Sequence, residues 1–519
     1  MEAGGIHLVD VLLVFEVHQP YRLRRDYFWG NRAFKKLEKG ELLDSYFDLA
    51  TDGDIFRRAA SKCYLPSNEI ILNKIDEHKH EARDFRVAYS ISGVFLEQCE
   101  RYNKDVLESF KQLAETGRVE FLGQTYYHSL SSLYPSPSEF TDQVKTHRAT
   151  IEELLGYTPR VFENTELIYN NPIAKLVEDL GYDGIFTEGA ERIIGQESPN
   201  QLYKAKDCEN LRVILRNYKL TDDVGFRFSN KSWSEYPLTA EKYADWLSQA
   251  QGQYVCIFLD YETFGEHMWP DTGIHEFLKK LPGEILRRNL TISTPSKVIA
   301  SHKPKHTLDV PHHETVSWAD IERSTHSWIG NDMQWAFYQK VRDAEDLVKE
   351  LGDQEYTKIW RYLQISDHLY YMFTAGGGPG VVHSYFSPYE KPIDAFLSAQ
   401  AALMDYIQRL RSETYAANEP FMFRTKEDEE GSTGITALSM KGFLHSLGAV
   451  PTRSLQFHRS RGDFEAWIKH SLRDETLAEE ISKVNASNLR GEALRLQLMK
   501  TLCSHMSTLR KNREKTIKS

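Results

Sequence analysis

Two stretches carry carboxylates where glycosidic-bond chemistry needs them. Phe162–Asn171 (FENTELIYNN) places Glu166 just past a short apolar run, and Val255–His267 (VCIFLDYETFGEH) does the same with Asp260. One ionised carboxylate facing one protonated carboxyl group across a sugar is the minimum equipment for splitting a glycosidic bond. A separation of about 5–5.5 Å gives retention and about 6.5–9.5 Å gives inversion. Taken singly, each acid is an ordinary loop or helix-cap carboxylate; their shared placement at strand ends is what singles them out.

The elements that must position them form an alternating series. Val11–Pro20 (VLLVFEVHQP) is a buried first strand ending in His18 and Gln19, with Glu16 and His18 on one side by parity. Strands follow at Phe85–Gly93, Arg118–Leu130 (running into Gln124, Tyr127 and His128), at YTPRVFENTELIYN, at DGIFTEG ending in Glu188, at LRVILRNYKLTDD and at QYVCIFLDYETFG. Amphipathic helical segments separate them, for example TDQVKTHRATIEELLG closed by Gly156 and NPIAKLVEDLGY with Pro172 in its first turn. Short apolar strands alternating with helices predict a parallel sheet buried on both faces. The first strand is followed by no GxGxxG turn, which favours an incomplete (β/α)7 barrel over a doubly wound sheet. In such barrels chemistry gathers at the C-terminal strand ends, where His18, His128, Glu166, Glu188 and Asp260 all fall.

Three regions are expected in the chain of 519 residues: a barrel over 1–305 with a charged helical insertion near 22–84, a helical bundle over 306–415, and a small, mostly helical module over 420–519. ANEPFMFRTKEDEEGSTG reads as the linker into the last of these. In the bundle, Trp318, Asp320, Trp328, Asn331, Asp367 and His368 interrupt the apolar faces, either as packing or as a wall closing a cleft. The glycine run Gly376–Gly380 lacks the Lys-Ser/Thr end of a phosphate loop.

Composition narrows the partners. A net charge of -11 argues against general nucleic-acid binding, and the basic C-terminal stretch reads as a solvated helix face. The five cysteines, Cys63, Cys99, Cys208, Cys256 and Cys503, are odd in number, widely spaced and without a CxxC pair, which predicts a reduced, cytoplasmic protein. No segment reads as a membrane span or a secretion signal.

These motifs together resemble glycoside hydrolase family 57, in particular its intracellular α-amylase branch. The resemblance rests on HQP at His18–Pro20, GQTYYHSL at Gly123–Leu130, FENTELIYN, DYETFGEH, SWADIERSTHSWIGNDMQ and HSYFSPY at His383–Tyr389, and spans residues 8 to 400. It implies that Glu166 is the nucleophile and Asp260 the general acid/base of a retaining α-1,4-glucan hydrolase or transglycosylase. His18, Gln19, His128, Glu188, His267, Trp269, Trp318, Trp328 and Asp367 are then the sugar-binding candidates, with no metal or cofactor required. Two departures stand out: Gln124 where the family pattern has Glu, and Glu163 where it has a basic residue. Two other readings stay open on sequence alone. One is a non-catalytic or regulatory glucan-binding relative. The other is a metal-dependent enzyme like a polysaccharide deacetylase or α-mannosidase, for which Asp10, His18 and His128 lack DxH or HxxxH spacing. The sequence is silent on oligomeric state.

Overall fold

A computed structural model describes residues 9–35, 37, 40–80, 85–374, 387–427 and 429–518. The glycine run 376–380 and most of the motif His383–Tyr389 lie outside the described residues. The chain divides into two compact units.

The first unit comprises residues 1–32, 37–338 and 361–399 and contains the barrel. Its strands are β1 (Asp10–Val17), β2 (Val87–Ile91), β3 (Val119–Phe121), β4 (Val161–Phe162), β5 (Gly184–Glu188), β6 (Tyr203–Ala205), β7 (Arg212–Arg216), β8 (Tyr254–Asp260), β9 (Thr291–Ser293) and β10 (His306–Leu308). One sheet runs β3-β2-β1-β8 with β9 on β1; the other runs β10-β6-β7-β5-β4. The two sheets meet twice. Gly123, after β3, bridges Phe162 of β4 in parallel, and the Asn217 N–H beyond β7 donates to the Cys256 carbonyl of β8 at 2.9 Å. The parallel strands β1, β2, β3, β4, β5, β7 and β8 thereby curl into an incomplete (β/α)7 barrel, with β6 antiparallel on β7.

Alternation along each strand sorts the side chains into two layers. Val11, Leu13, Phe15, Val17, Val87, Tyr89, Val255 and Ile257 join the apolar core shared with the surrounding helices. Leu12, Val14, Ala88, Leu122, Val161, Phe186, Ile214, Cys256 and Phe258 fill the interior. The next inward position beyond each apolar residue is polar: Glu16 on β1, Ser90 on β2, Gln124 after β3, Glu163 after β4, Glu188 on β5, Arg216 on β7 and Asp260 on β8. Register makes this one layer, since Glu16 pairs with Ser90 and with Asp260, and Glu188 pairs with Arg216.

Local signals place the helices that return the chain. Asn170 caps Asn171–Asp179 by accepting from the Ile173 N–H, and Gly156 ends Ser138–Leu155 at φ 63°. Two expected strands are shorter than predicted. Only Val119–Phe121 of Arg118–Leu130 is strand, because the chain leaves the sheet to form the turn carrying His128. LRVILRNYKLTDD is strand only to Arg216; Asn217 then caps the helix Tyr218–Gly225. The insertion folds chiefly as the helices Leu49–Ala59 and Leu65–His78, joined by the π-helical turn Ala60–Tyr64.

The second unit comprises residues 33–36, 339–360 and 400–519. It corrects the linker expectation. Ala416–Arg424 (β11) and Ser432–Ser439 (β12) form an antiparallel hairpin, whose Phe421 and Phe423 pack with Phe443, Phe464 and Trp467 of the helices that follow. Charges on the hairpin's outer face and tip disguise alternating inward apolar residues.

The turn after β8 depends on Gly265. Its φ is 133°, and a Cβ there would run into the Lys62 carbonyl. Replacing Gly265 with Ala should cost roughly 2–4 kcal/mol, read as a lowered midpoint in thermal or denaturant unfolding; an unchanged midpoint would contradict this packing.

Candidate active site

A cavity of about 580 Å3 opens above the polar layer, in the size range of small-molecule sites. Glu166, Asp260, His18, Trp318 and Asp367 are half-buried and line it, and Gln19, His128 and His267 reach it as well.

Glu166 sits on a single 3-10 turn after β4 with its own φ at 62° and Leu167 at 54°. Non-glycine residues pay for this left-handed geometry, about 1–2 kcal/mol each, and tertiary bonds hold it. The Leu167 N–H donates to the Asn164 carbonyl at 2.8 Å, and the Trp318 N–H to the Glu166 carbonyl at 3.2 Å. The carboxylate is gripped from both sides. The Trp318 indole Nε1–H donates to Oε2 at 2.6 Å, while His128 Nε2 and the Ser366 hydroxyl lie 3.3 and 3.4 Å from Oε1. The turns bearing His128 and Glu166 are tied by the Thr125 and Thr165 hydroxyls, 2.7 Å apart.

His128, itself at φ 48°, has its other ring nitrogen 3.3 Å from Glu16 Oε1. Gln124 Oε1 also lies 3.4 Å from that nitrogen. With its amide turned over, the Gln124 oxygen accepts from the Ile91 and Ser92 N–H groups and the Ser90 hydroxyl. Burial opposes a charge on His128, but the hydrogen bond and charge of Glu166, with Glu163 and Asp367, outweigh it and raise its pKa. His18 stacks on this ring at 4.1 Å. Burial and the neighbouring His128 lower His18 to about 4, so it stays neutral, with Nε2–H donating to Asp367 at 3.1 Å and Nδ1 facing the Ser92 hydroxyl at 2.7 Å. Burial alone would raise Asp367; the hydrogen bond from His18 and the nearby cationic groups bring it to about 2.

Asp260 responds in the opposite direction. Burial, then the negative charge of Glu166, raise it to about 7, against the pull of Arg216 and His128. Below that pH it holds a proton that it can give away. Two further acids lie beneath the cavity floor or against it. Burial raises Glu163 to about 8 although His128 and a 3.0 Å hydrogen bond from Ser90 oppose it. Burial likewise raises Glu262 to about 8; its Oε1 accepts from the Tyr64 hydroxyl at 2.5 Å, and Tyr64 in turn accepts from Gln19 Nε2 at 3.1 Å.

Three expected sugar contacts are not brought to the cavity. Glu188 shares the polar layer with Arg216 and Asp260 but is fully buried and committed to Arg216 at 2.8 Å, and it does not line the cavity. Trp328 is buried against Tyr370, and Trp269 lies out in solvent, 54% exposed, under the Lys62 ammonium. Of the other bundle residues, Asp320 lines the cavity. Asn331 donates to the Met372 carbonyl at 2.9 Å and His368 Nε2 faces the Tyr362 carbonyl at 3.1 Å, both as packing. The sequence reading missed Arg216, Arg22, Tyr370 and Tyr371 on the cavity wall. Arg216 ends a strand as Glu188 and Asp260 do, so the same strand-end rule reaches it.

The pattern described as Glycosyl hydrolase family 57 matches residues 12–311, and a family of unknown function (DUF5752) matches 418–518. The chain is 44% identical over 402 residues to the "Putative alpha-amylase" of Methanocaldococcus jannaschii, covering 76% of this chain and 83% of that one. It is 21% identical over 305 residues to Alpha-amylase 1 of Dictyoglomus thermophilum, covering 57% of this chain and 40% of the relative. Among solved structures, the GH57-type branching enzyme from Pyrococcus horikoshii superposes with a TM-score of 0.56 at 15% identity, over 79% of this chain and 90% of that one. The 4-alpha-glucanotransferase from Thermococcus litoralis gives 0.53 at 15% identity, over 80% and 62%. At such identities these two likenesses concern the fold.

The electrostatics make a direct prediction. Removing the charge with Glu166→Gln should lower the pKa of Asp260 from about 7 without returning it to the ordinary aspartate range, because burial, the larger cause, remains. Infrared titration of 13C-aspartate-labelled protein reads this; an unmoved or raised value would show that the two carboxyl groups are not electrostatic neighbours.

Proposed function

The chain belongs to glycosyl hydrolase family 57, and from that premise we propose that its barrel cleaves α-1,4-glucans by double displacement through Glu166 and Asp260, passing the glycosyl group to water or to a second sugar. The observation that carries the reading is that two carboxyl groups with different surroundings line one cavity. Glu166 has hydrogen-bond donors on both oxygens, and Asp260 is held protonated up to about pH 7. An acid kept protonated beside a carboxylate served by donors suits the division into general acid and nucleophile.

In the first step a glutamate oxygen attacks the anomeric carbon while Asp260 protonates the departing glycosidic oxygen. Oε2 is held at 2.6 Å by Trp318, whereas the contacts to Oε1 are long, so Oε1 is the freer oxygen to form the bond. Asp260, now ionised, then removes a proton from the incoming hydroxyl, and the carbon returns to its original configuration. Anionic Asp367 and neutral His18 present acceptors and orientation for sugar hydroxyls, and the Trp318 face offers an apolar surface to the ring. The name of the relative at 44% identity, a putative alpha-amylase, supports the substrate class. The metal-dependent alternative needs converging ligands. Among the described residues no group of three or more His, Cys, Asp or Glu is arranged to hold a metal ion.

We assign the protein to the cytoplasm from its five free cysteines. No helix among the described residues is long and apolar enough to cross a membrane.

Incubation with maltoheptaose, with products separated by size, tests the reaction. Shorter products alone mean hydrolysis, a ladder of longer products means transfer, and an unchanged substrate sinks the proposal. Glu166→Gln should cost about 10^3-fold or more in rate with the fold intact by circular dichroism. The acid must be protonated to act, so kcat/KM should fall as pH rises through about 7; a rate that climbs across that range would remove Asp260 from the acid role.

A further inference from the structure

Beside Trp318, and partly lining the cavity, lies an ion network that the two-carboxylate mechanism does not use. Arg216 ends β7 with its guanidinium buried and every edge engaged. Nε donates to the Phe258 carbonyl at 2.7 Å, two residues before Asp260 on β8; Nη1 donates to Glu188 at 2.8 Å and Nη2 to Asp222 at 2.7 Å. Asp222 then accepts from Arg323 at 3.1 Å, and Arg323 Nη1 lies 3.4 Å from Glu188 and donates to the Trp318 carbonyl. The Arg216 guanidinium also lies 5.6 Å from the Trp318 ring. Two cations and two anions thus join β5, β7, β8, the helix Tyr218–Gly225 and the segment bearing Trp318.

The same segment is fixed from the other side. Arg192 donates to the carbonyls of Glu314, Thr315, Glu322 and Arg323, and Asp320 accepts from the N–H groups of Glu322 and Arg323. Trp318 is therefore held where its indole N–H meets Glu166.

We propose that Arg216, Glu188, Asp222 and Arg323 act as one positioning unit that seats Trp318 on Glu166 and sets the electrostatic potential at Asp260. Its members act through the two acids; Arg216, Asp222 and Arg323 reach the cavity, but their charged groups are paired with one another. A forked cation suits this task because three partners must be met in one plane, which a lysine ammonium cannot do. Asp260 is faced by Glu16 from β1, His128 from the turn after β3, Glu166, Arg216, Glu262 from its own turn, and Asp367 and Tyr370 from the helix Ser366–Tyr370. Arg216 is the permanent cation in that set, so a change in the balance around it is felt at Asp260. The inference rests on the roles given to Glu166 and Asp260 above.

Two variants separate charge from geometry. Asp222→Asn removes one anion and leaves Arg216 paired with Glu188; the alkaline limb of kcat/KM on maltoheptaose should move down by on the order of half a pH unit. Arg216→Lys keeps the charge and loses the fork; the limb should stay in place while kcat falls about tenfold. In 5-fluorotryptophan-labelled protein, the Trp318 19F resonance, assigned with Trp318→Phe, should shift in both. A folded Asp222→Asn protein with its limb at or above the wild-type position, or both variants with the Trp318 resonance unmoved, overturns the proposal. Should Asp222→Asn not fold, Arg323→Gln probes the same unit: the anions are left in excess, the limb should rise, and a limb that stays or falls overturns it. The 19F signal and an infrared titration of Asp260 need no turnover. A protein inert on maltoheptaose would therefore sink the enzymatic reading while this inference is still tested.

Discussion

Crowding of like charges at one end of a barrel governs this structure. Glu16, Glu163, Glu166, Asp260 and Glu262 converge on a space bordered by Arg216, Arg22 and Arg323 and by His128, whose pKa is raised. Burial penalises every ionised carboxyl group, and each negative charge raises the proton affinity of the next. Glu166 has an indole N–H, an imidazole and a hydroxyl around its oxygens. Burial and the neighbouring charges drive Glu16, Glu163, Asp260 and Glu262 upward. A protonated acid beside a carboxylate served by donors is the arrangement that displacement with acid assistance requires.

That arrangement costs stability, in a pH window whose sign follows from the shifts. Between the ordinary carboxylate range near 4 and the folded values of about 7 for Asp260 and about 8 for Glu163 and Glu262, the unfolded chain has released protons that the native one retains. Since the native state binds more protons there, the contribution of these groups to stability falls as pH rises through the window. Asp367, lowered to about 2, works the other way, and its contribution is fully present above the ordinary aspartate value. The apolar layer beneath, from Leu12 to Phe258, and the larger core outside the strands have to carry the deficit.

Period-two alternation is why much of this was legible in the sequence. Glu16 and His18 share parity with Leu12 and Val14, so a reader who places the strand also places the acid and the imidazole. The same reasoning, applied to every strand end, reaches Asp260 and Arg216. It also reaches Glu188, but parity says which way a side chain points and nothing of which neighbour it pairs with, and Glu188 proves to be consumed by Arg216. Trp269 and Trp328 failed for another reason: residues on loops and helices beyond the sheet have no register to fix them. The hairpin Ala416–Ser439 was hidden because charged residues crowd its tip, and Pro420 and the exposed Met422 interrupt the pattern around the inward Phe421 and Phe423.

Register also explains the two departures from the family pattern. Gln124 and Glu163 occupy inward positions just past Leu122 and Val161, and Gly123 joins the two strands between them. Ser90 lies within hydrogen-bond reach of both side chains, at 2.8 and 3.0 Å. A neutral amide beside a protonated acid satisfies this shared hydroxyl without adding charge beneath Glu166. Ionising Glu163 would place a second anion under the nucleophile, with its turn already held at a left-handed φ by the contacts of Leu167 and Trp318. Because Glu163 Oε1 also faces the Leu167 N–H at 3.5 Å, its proton and the conformation of the Glu166 turn are coupled. The identity of residue 163 therefore bears on the reaction through the backbone that aims the nucleophile, although the side chain never meets the cavity.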